Sequence, residues 1–169
     1  MTTSPFTVRR ARTTDVPRIL DLVQPLVDER ILLGKEAVAI YEAVQEFRVA
    51  EDAMGNIIGC GALHVFWQDL GEVRTLAASR DWLGQGVGHA IMERLIADAQ
   101  ELGLGRLFCL TFEVDFFARH GFAEVTDQLI DDEVYAAIAL SHDEGVAEFL
   151  DLARVKPNTL GNTRMLRYL

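Results

Sequence analysis

Three alternating glycines in the run Arg80-Asp-Trp-Leu-Gly-Gln-Gly-Val-Gly88 constrain this chain more than any other feature. Upstream, Glu72 to Ala78 reads as an apolar strand. Downstream, Val87, Ile91, Leu95, Ala99 and Leu102 recur at helical spacing, so a helix opens at Val87 or Gly88 and runs to Leu102. Glycine allows a tight turn and leaves backbone N–H groups uncovered. The first turn of the helix adds N–H groups without intrahelical partners and the positive end of the helix dipole. Strand, glycine turn and helix together form an anion cradle, most simply for a phosphate. The chain must therefore combine sheet and helix, and the turn points to a phosphorylated ligand.

The remaining segments extend this pattern. Phe6 to Arg10 reads as an opening strand. Thr14 reads as an N-cap before a helix reaching about Glu29, with Asp15 and Pro17 in its first turn. Ile31 to Gly34 breaks it. A second helix is expected over about Lys35 to Gln45, with Val38, Tyr41 and Val44 inward. Strands follow at Phe47 to Glu51 and Ile57 to Trp67, with turns at Met54 to Asn56 and Gln68 to Gly71. Leu107 to Thr111 follows a crossover helix and is expected to be a parallel strand. Val114 to His120 reads as a short helix stopped by Gly121, Phe122 to Thr126 as a strand, and Asp131 to Ala139 as a short helix. His142 to Gly145 reads as a turn. Gly145 to Leu152 is either a partial helix or a loop. Asn162 to Leu169 closes the chain as a strand. No linker, repeat or low-complexity tract divides residues 1–169, so a single domain is expected.

At 169 residues and 50% hydrophobic content, the chain can bury a substantial core. Its formal charge of −10 argues against general nucleic-acid binding, which needs a basic surface. It leaves small anionic ligands open. Cys60 and Cys109 lie in apolar strand segments and read as reduced core thiols of a cytoplasmic protein. No Cys/His pattern suggests a metal. No apolar run reaches membrane-spanning length, and Met1 to Pro5 shows no secretory pattern.

The element order and the glycine turn resemble the GCN5-related N-acetyltransferase superfamily. In that superfamily a basic residue or glutamine usually opens the glycine signature. Here Leu83-Gly84-Gln85-Gly86-Val87-Gly88 keeps the glycines but opens with Leu83. Phe116 to Phe122 resembles the second hallmark of the superfamily. The resemblance implies a mixed α/β fold: a twisted mixed sheet flanked by helices, with its central parallel strands splayed. A closer resemblance is to short N-acetylglutamate synthases that lack an amino-acid-kinase domain. It rests on Gln24 to Leu32, Gly71 to Ala77, Gly103 to Thr111 and Lys156 to Arg164. It implies transfer of acetyl from acetyl-CoA to the α-amino group of L-glutamate, the first step of arginine biosynthesis. Such enzymes are often inhibited by L-arginine, and without the kinase domain any arginine site here has to be different. Another amino acid as acceptor, glutamine or aspartate, fits the same charge pattern. So does another small amine. A non-catalytic acetyl-CoA or arginine sensor is a further alternative. The superfamily often dimerises, which leaves a homodimer open. The stretch His142 to Thr159 is an interface, an active-site cover or a packed loop.

The resemblance also implies roles. It puts the pantetheine arm of acetyl-CoA beside Leu76, Ala77 and Ala78, and the pyrophosphate over Leu83, Gly84, Gln85, Gly86, Val87 and Gly88. Arg80 either compensates for the missing base at 83 or faces solvent. Phe117 falls among the donor-binding positions, where many members carry a tyrosine acid. That acid is therefore absent, and Tyr135 and Tyr168 are weak substitutes. The acceptor amine is mostly protonated near neutrality, so a carboxylate base is needed. Glu72 is the leading candidate, as base or water-holder. It reads equally as the structural partner of a buried arginine, and Glu113 and Asp115 are weaker candidates. Strand alternation groups Glu72, Arg74 and Leu76 on one face. A dicarboxylic acceptor needs cationic partners, for which arginine is well suited. Arg74, Lys35 and Arg164 are the candidates, with Arg30 nearby. Cys60 is expected near the substrate through backbone or packing, not as a nucleophile. His64, four residues on, reads as an edge or surface histidine.

Overall fold

The computed structural model describes residues 4–32, 34–141 and 161–169. They fall into two compact units, Met1–His64 with Val73–Leu102, and Val65–Glu72 with Gly103–Leu169. The segments expected as a turn at His142 to Gly145 and a helix or loop at Gly145 to Leu152 lie outside the described residues, as does the rest of His142 to Thr159.

In the first unit, strand β1 (Phe6–Arg10) pairs antiparallel with β2 (Phe47–Asp52), and β2 with β3 (Ile57–Trp67). The later part of β4 (Leu70–Ala78) lies next to β3. Helices α1 (Val16–Asp28), α2 (Ala37–Glu42) and α3 (Val87–Glu101) complete the unit. Its core joins Val16, Ile19 and Val23 of α1, Ile40 of α2, Phe47 and Val49 of β2, and Cys60 and Ala62 of β3. Each large apolar side chain buried here contributes roughly 1.5–3 kcal/mol. Two local expectations change. Thr14 does not cap α1: Thr13–Asp15 forms a 3-10 turn, and the Asp15 carboxylate accepts from the Arg12 N–H at 2.7 Å. In α2 the buried residue is Ile40, while Val38 and Tyr41 are 61% and 45% exposed. The helix is a turn shorter than its sequence pattern suggests, and Val44 falls in a separate 3-10 turn, Val44–Glu46.

In the second unit, Leu70, Gly71 and Glu72 of β4 pair in parallel with Arg106, Leu107 and Phe108 of β5 (Arg106–Thr111), as the crossover argument requires. β5 pairs antiparallel with β7 (Thr163–Tyr168), and β7 with the short β6 (Ala123–Glu124). The hairpin turn is tighter than expected, because β4 begins at Leu70. The Asp69 carbonyl accepts from the N–H groups of both Gly105 and Arg106, fixing the start of β5. Helix α4 (Val114–Arg119) ends at Gly121, whose φ of 82° suits glycine. Helix α5 (Asp132–Ile138) is capped by Asp131, which accepts from the Val134 N–H. Phe66, Leu70, Phe108, Leu129, Ile130, Ile138 and Leu166 form this unit's core. Among the described residues no helix is long and apolar enough to cross a membrane.

Candidate functional site

The glycine turn folds as its sequence predicts. Arg80–Trp82 makes one 3-10 turn, and α3 starts at Val87 with Gly86 as its N-cap. Gly84 and Gly86 have φ of 76° and 83°, a region that side-chain-bearing residues enter only at a cost. A Cβ at either position would meet no atom within 4 Å, so conformation, not crowding, demands glycine there. As the N-cap of α3, Gly86 brings no side chain to the first-turn N–H groups, the arrangement an anion cradle needs. Leu83 is 65% exposed, so the position that is basic in the signature carries an apolar side chain at the surface. Arg80 is exposed too and is ion-paired with Glu29.

Two features missed from the sequence hold α3 in place. The first is close packing on β3. A Cβ on Gly59 would stand 2.5 Å from Val87 Cγ1 and 2.9 Å from Ile91 Cδ1. One on Gly61 would stand 2.8 Å from Ile91 Cγ2 and 2.9 Å from Leu76 Cδ1. The helix thus rests against bare backbone. Gly-Cys-Gly at strand period was the available signal. The second is a buried ion pair. Arg48 of β2 donates from Nε and Nη2 to the two carboxylate oxygens of Asp98 at 2.6 and 2.7 Å, and Arg94 adds a bond of 3.0 Å. Such a bidentate pair fixes geometry as well as charge. Nothing in the local sequence marks these residues as partners.

β4 is irregular where the donor is expected. Thr75 has φ 55°, outside the range comfortable for a β-branched residue. This breaks the pleat, so the alternation grouping Glu72 and Arg74 with Leu76 does not carry past Arg74. The Cys60 side chain is fully buried, and its Sγ donates to the Thr75 carbonyl at 3.4 Å. Burial pushes its thiol pKa up to about 12, so at neutral pH it is a protonated, unreactive thiol. Any contact of Cys60 with a substrate would be through backbone. His64 Nδ1 bonds Glu46 Oε1 at 2.8 Å, as an edge histidine would.

The other predicted residues distribute as follows. Leu76, Ala77, Ala78, Arg74 and Lys35 belong to the first unit, and Glu72, Phe117 and Arg164 to the second. Within the second unit, Glu72 is opposite Phe108, and Arg164 is opposite Leu110. Phe108 and Leu110 share a face of β5, so Glu72 and Arg164 share that face as well. Glu72 is only 7% exposed. Burial first, and the charge of Glu72 second, raise the Cys109 thiol well above its usual pKa. Phe117 is buried edge-on against Phe116 and Phe122, with no group able to protonate a thiolate. Glu113 and Asp115 are exposed at the start of α4, and Tyr168 is exposed in β7. Lys35, Arg74 and Arg164 each interact with another group of the protein.

Comparison with known proteins adds to this geometry. The model of the Acetyltransferase (GNAT) family matches residues 23–122. The amino-acid acetyltransferase of Mycobacterium tuberculosis is 56% identical over 164 residues, 96% of this chain and 94% of its own length. A crystal structure of a Mycobacterium tuberculosis protein in complex with CoA and NLQ, an N-acetyl-glutamine-type ligand, matches with a TM-score of 0.90 and 56% identity. That match covers 96% of this chain and 99% of the other. N-acetylglutamate synthase from Neisseria gonorrhoeae, complexed with coenzyme A and N-acetyl-glutamate, matches with a TM-score of 0.80 and 26% identity, over 97% of this chain but 35% of the longer one.

Proposed function

Because the chain belongs to the Acetyltransferase (GNAT) family, we propose that it transfers the acetyl group of acetyl-CoA to the α-amino group of L-glutamine. The observation that carries the acceptor is the CoA and NLQ complex of the 56% identical Mycobacterium tuberculosis protein. It corrects the expectation of L-glutamate, and with it the reading as an N-acetylglutamate synthase. The synthase that carries N-acetyl-glutamate shares only 26% identity and is much the longer chain. The physical reason for the error is that a cationic pocket measures charge, and glutamine keeps the α-carboxylate that such a pocket binds. A neutral side-chain amide needs a donor and an acceptor in place of a second cation. A site built to bond that amide discriminates against its carboxylate analogue through unpaired polar groups.

Acetyl-CoA supplies the activated thioester. The open Gly84 and Gly86 turn and the uncapped start of α3 fit its pyrophosphate, and backbone donors there make the apolar Leu83 tolerable. Glu72 takes a proton from the acceptor ammonium, directly or through water, freeing the nitrogen lone pair. The nitrogen then bonds the acetyl carbon, gives up a second proton to water, and the carbon–sulfur bond breaks. Since Phe117 has no proton to give, the CoA thiolate leaves unaided or takes its proton from water. Arg74 and Lys35, both of the first unit, are the cations suited to the acceptor's α-carboxylate.

The test is thiol release from acetyl-CoA with L-glutamine, L-glutamate, L-aspartate, L-leucine or no acceptor. L-glutamine should give the highest kcat/KM, and Glu72→Gln should lower kcat by roughly 10²–10⁴. Silence with L-glutamine, or faster turnover of another acceptor, would overturn the assignment.

A further inference from the structure

Thr75 is held in a conformation that threonine avoids, and the structure shows what holds it. A left-handed β-branched residue inside a strand persists only when its surroundings enforce it. On β3, the Cys60 thiol reaches across to β4 at two points. It donates to the Thr75 carbonyl at 3.4 Å and accepts a hydrogen bond from the Ala77 N–H. These two groups flank Leu76. In a regular strand pair, main-chain groups of the neighbouring strand would bond to each other. Here the Cys60 side chain bonds the main chain of β4 on both sides of Leu76. The sulfur is fully buried, out of contact with solvent.

We infer that Cys60 is a positioning residue: its thiol clamps Thr75 and Ala77 and so sets the backbone of Leu76, Ala77 and Ala78 against which the acetyl-CoA arm lies. This rests on the proposed acetyl-CoA site. The clamped segment is the one beside which the donor arm is proposed to lie, and its value to a ligand is the direction of its N–H and C=O groups. Loss of the clamp lets Thr75 relax toward an extended φ, which rotates the peptide planes on both sides. Serine keeps a donor and an acceptor at position 60, whereas alanine keeps neither. Glycine at position 75 adopts positive φ without help.

The experiment compares Cys60→Ala, Cys60→Ser and the double variant Cys60→Ala/Thr75→Gly. The readouts are the acetyl-CoA dissociation constant by calorimetry, kcat and KM for L-glutamine, and the unfolding midpoint. The Cys60→Ala protein is expected to bind acetyl-CoA about tenfold more weakly. Cys60→Ser and the double variant should both recover most of that loss, even though the double variant is no more stable than Cys60→Ala. Unchanged acetyl-CoA affinity in folded Cys60→Ala would overturn the inference. So would a loss that Thr75→Gly does not restore, or one that follows the unfolding midpoint across all three proteins. Failure of the acetyltransfer reading is visible separately, as wild-type protein that binds acetyl-CoA but releases no thiol with any acceptor.

Discussion

Replacing Gly59 by alanine adds one methyl group where β3 carries the N-terminal end of α3, and its consequences follow from the space around it. The new Cβ would lie 2.5 Å from Val87 Cγ1, 2.9 Å from Ile91 Cδ1 and 3.3 Å from the Ala77 carbonyl oxygen. Carbon atoms pack best at about 3.5–4.0 Å, so the shortfall at Val87 is roughly 1 Å. Valine is stiff at χ1 in a helix and cannot swing aside cheaply. The helix must therefore lift. Overpacking of this kind costs about 1–3 kcal/mol, which for a chain of this size lowers the melting temperature by about 2–12 °C. Val87 is the first residue of α3, directly after the Gly86 cap, so the same movement displaces the N–H groups of the cradle. Acetyl-CoA affinity should fall about tenfold, equivalent to about 1.4 kcal/mol. Scanning calorimetry and acetyl-CoA titration measure both effects. Gly105→Ala is the control, because its Cβ would meet only Asp69, at 3.8 and 3.9 Å. That is ordinary contact, and the change in stability should stay within about 1 kcal/mol. A Gly59→Ala protein that melts with wild type and binds acetyl-CoA equally well would refute the packing argument.

Other outcomes follow from the buried charges. Arg48→Ala strands most of the Asp98 carboxylate's bonding in the core and should cost about 3 kcal/mol in urea unfolding; an unchanged midpoint would show that Arg94 alone satisfies Asp98. The Arg9 guanidinium, bonded to Asp15 at 2.7 Å, holds the Asp15 carboxyl below its ordinary pKa of 3.8. Its folded-state pKa being the lower one, the contribution of Asp15 to stability is complete above pH 3.8 and is lost as pH falls through the depressed value. Asp15→Asn should therefore be less stable than wild type near neutrality, and the gap should narrow in acid unfolding curves. A gap that stays constant with pH would exclude the ion pair as its source.

Much of the fold was legible because it is written in local periodicity. The apolar spacing of Val87, Ile91 and Leu95 marked α3, and the turn at Gly84 to Gly88 marked its start, because a left-handed backbone needs glycine wherever the rest of the chain goes. The element order was enough to suggest the family, which the match over residues 23–122 establishes. Short elements were read less well. Six residues of α2, Ala37–Glu42, are too few for periodicity to say which of Val38, Ile40 and Tyr41 turns inward.

What the sequence determined alone is thus the order of strands and helices, the position of the glycine turn before α3, and the phenylalanine at position 117. Tertiary structure decided the rest. The left-handed Thr75, the thiol of Cys60 across from it, the Arg48–Asp98 pair and the bare backbone under α3 join residues 15 to 50 positions apart. Composition and spacing report only neighbours along the chain, whereas strain, ion pairing and close packing arise between segments that meet only after the sheet has formed. The expectation of L-glutamate failed for a related reason. Glutamine and glutamate have nearly the same shape, and the choice between them depends on where single hydrogen-bond donors and acceptors point, which only the assembled fold decides.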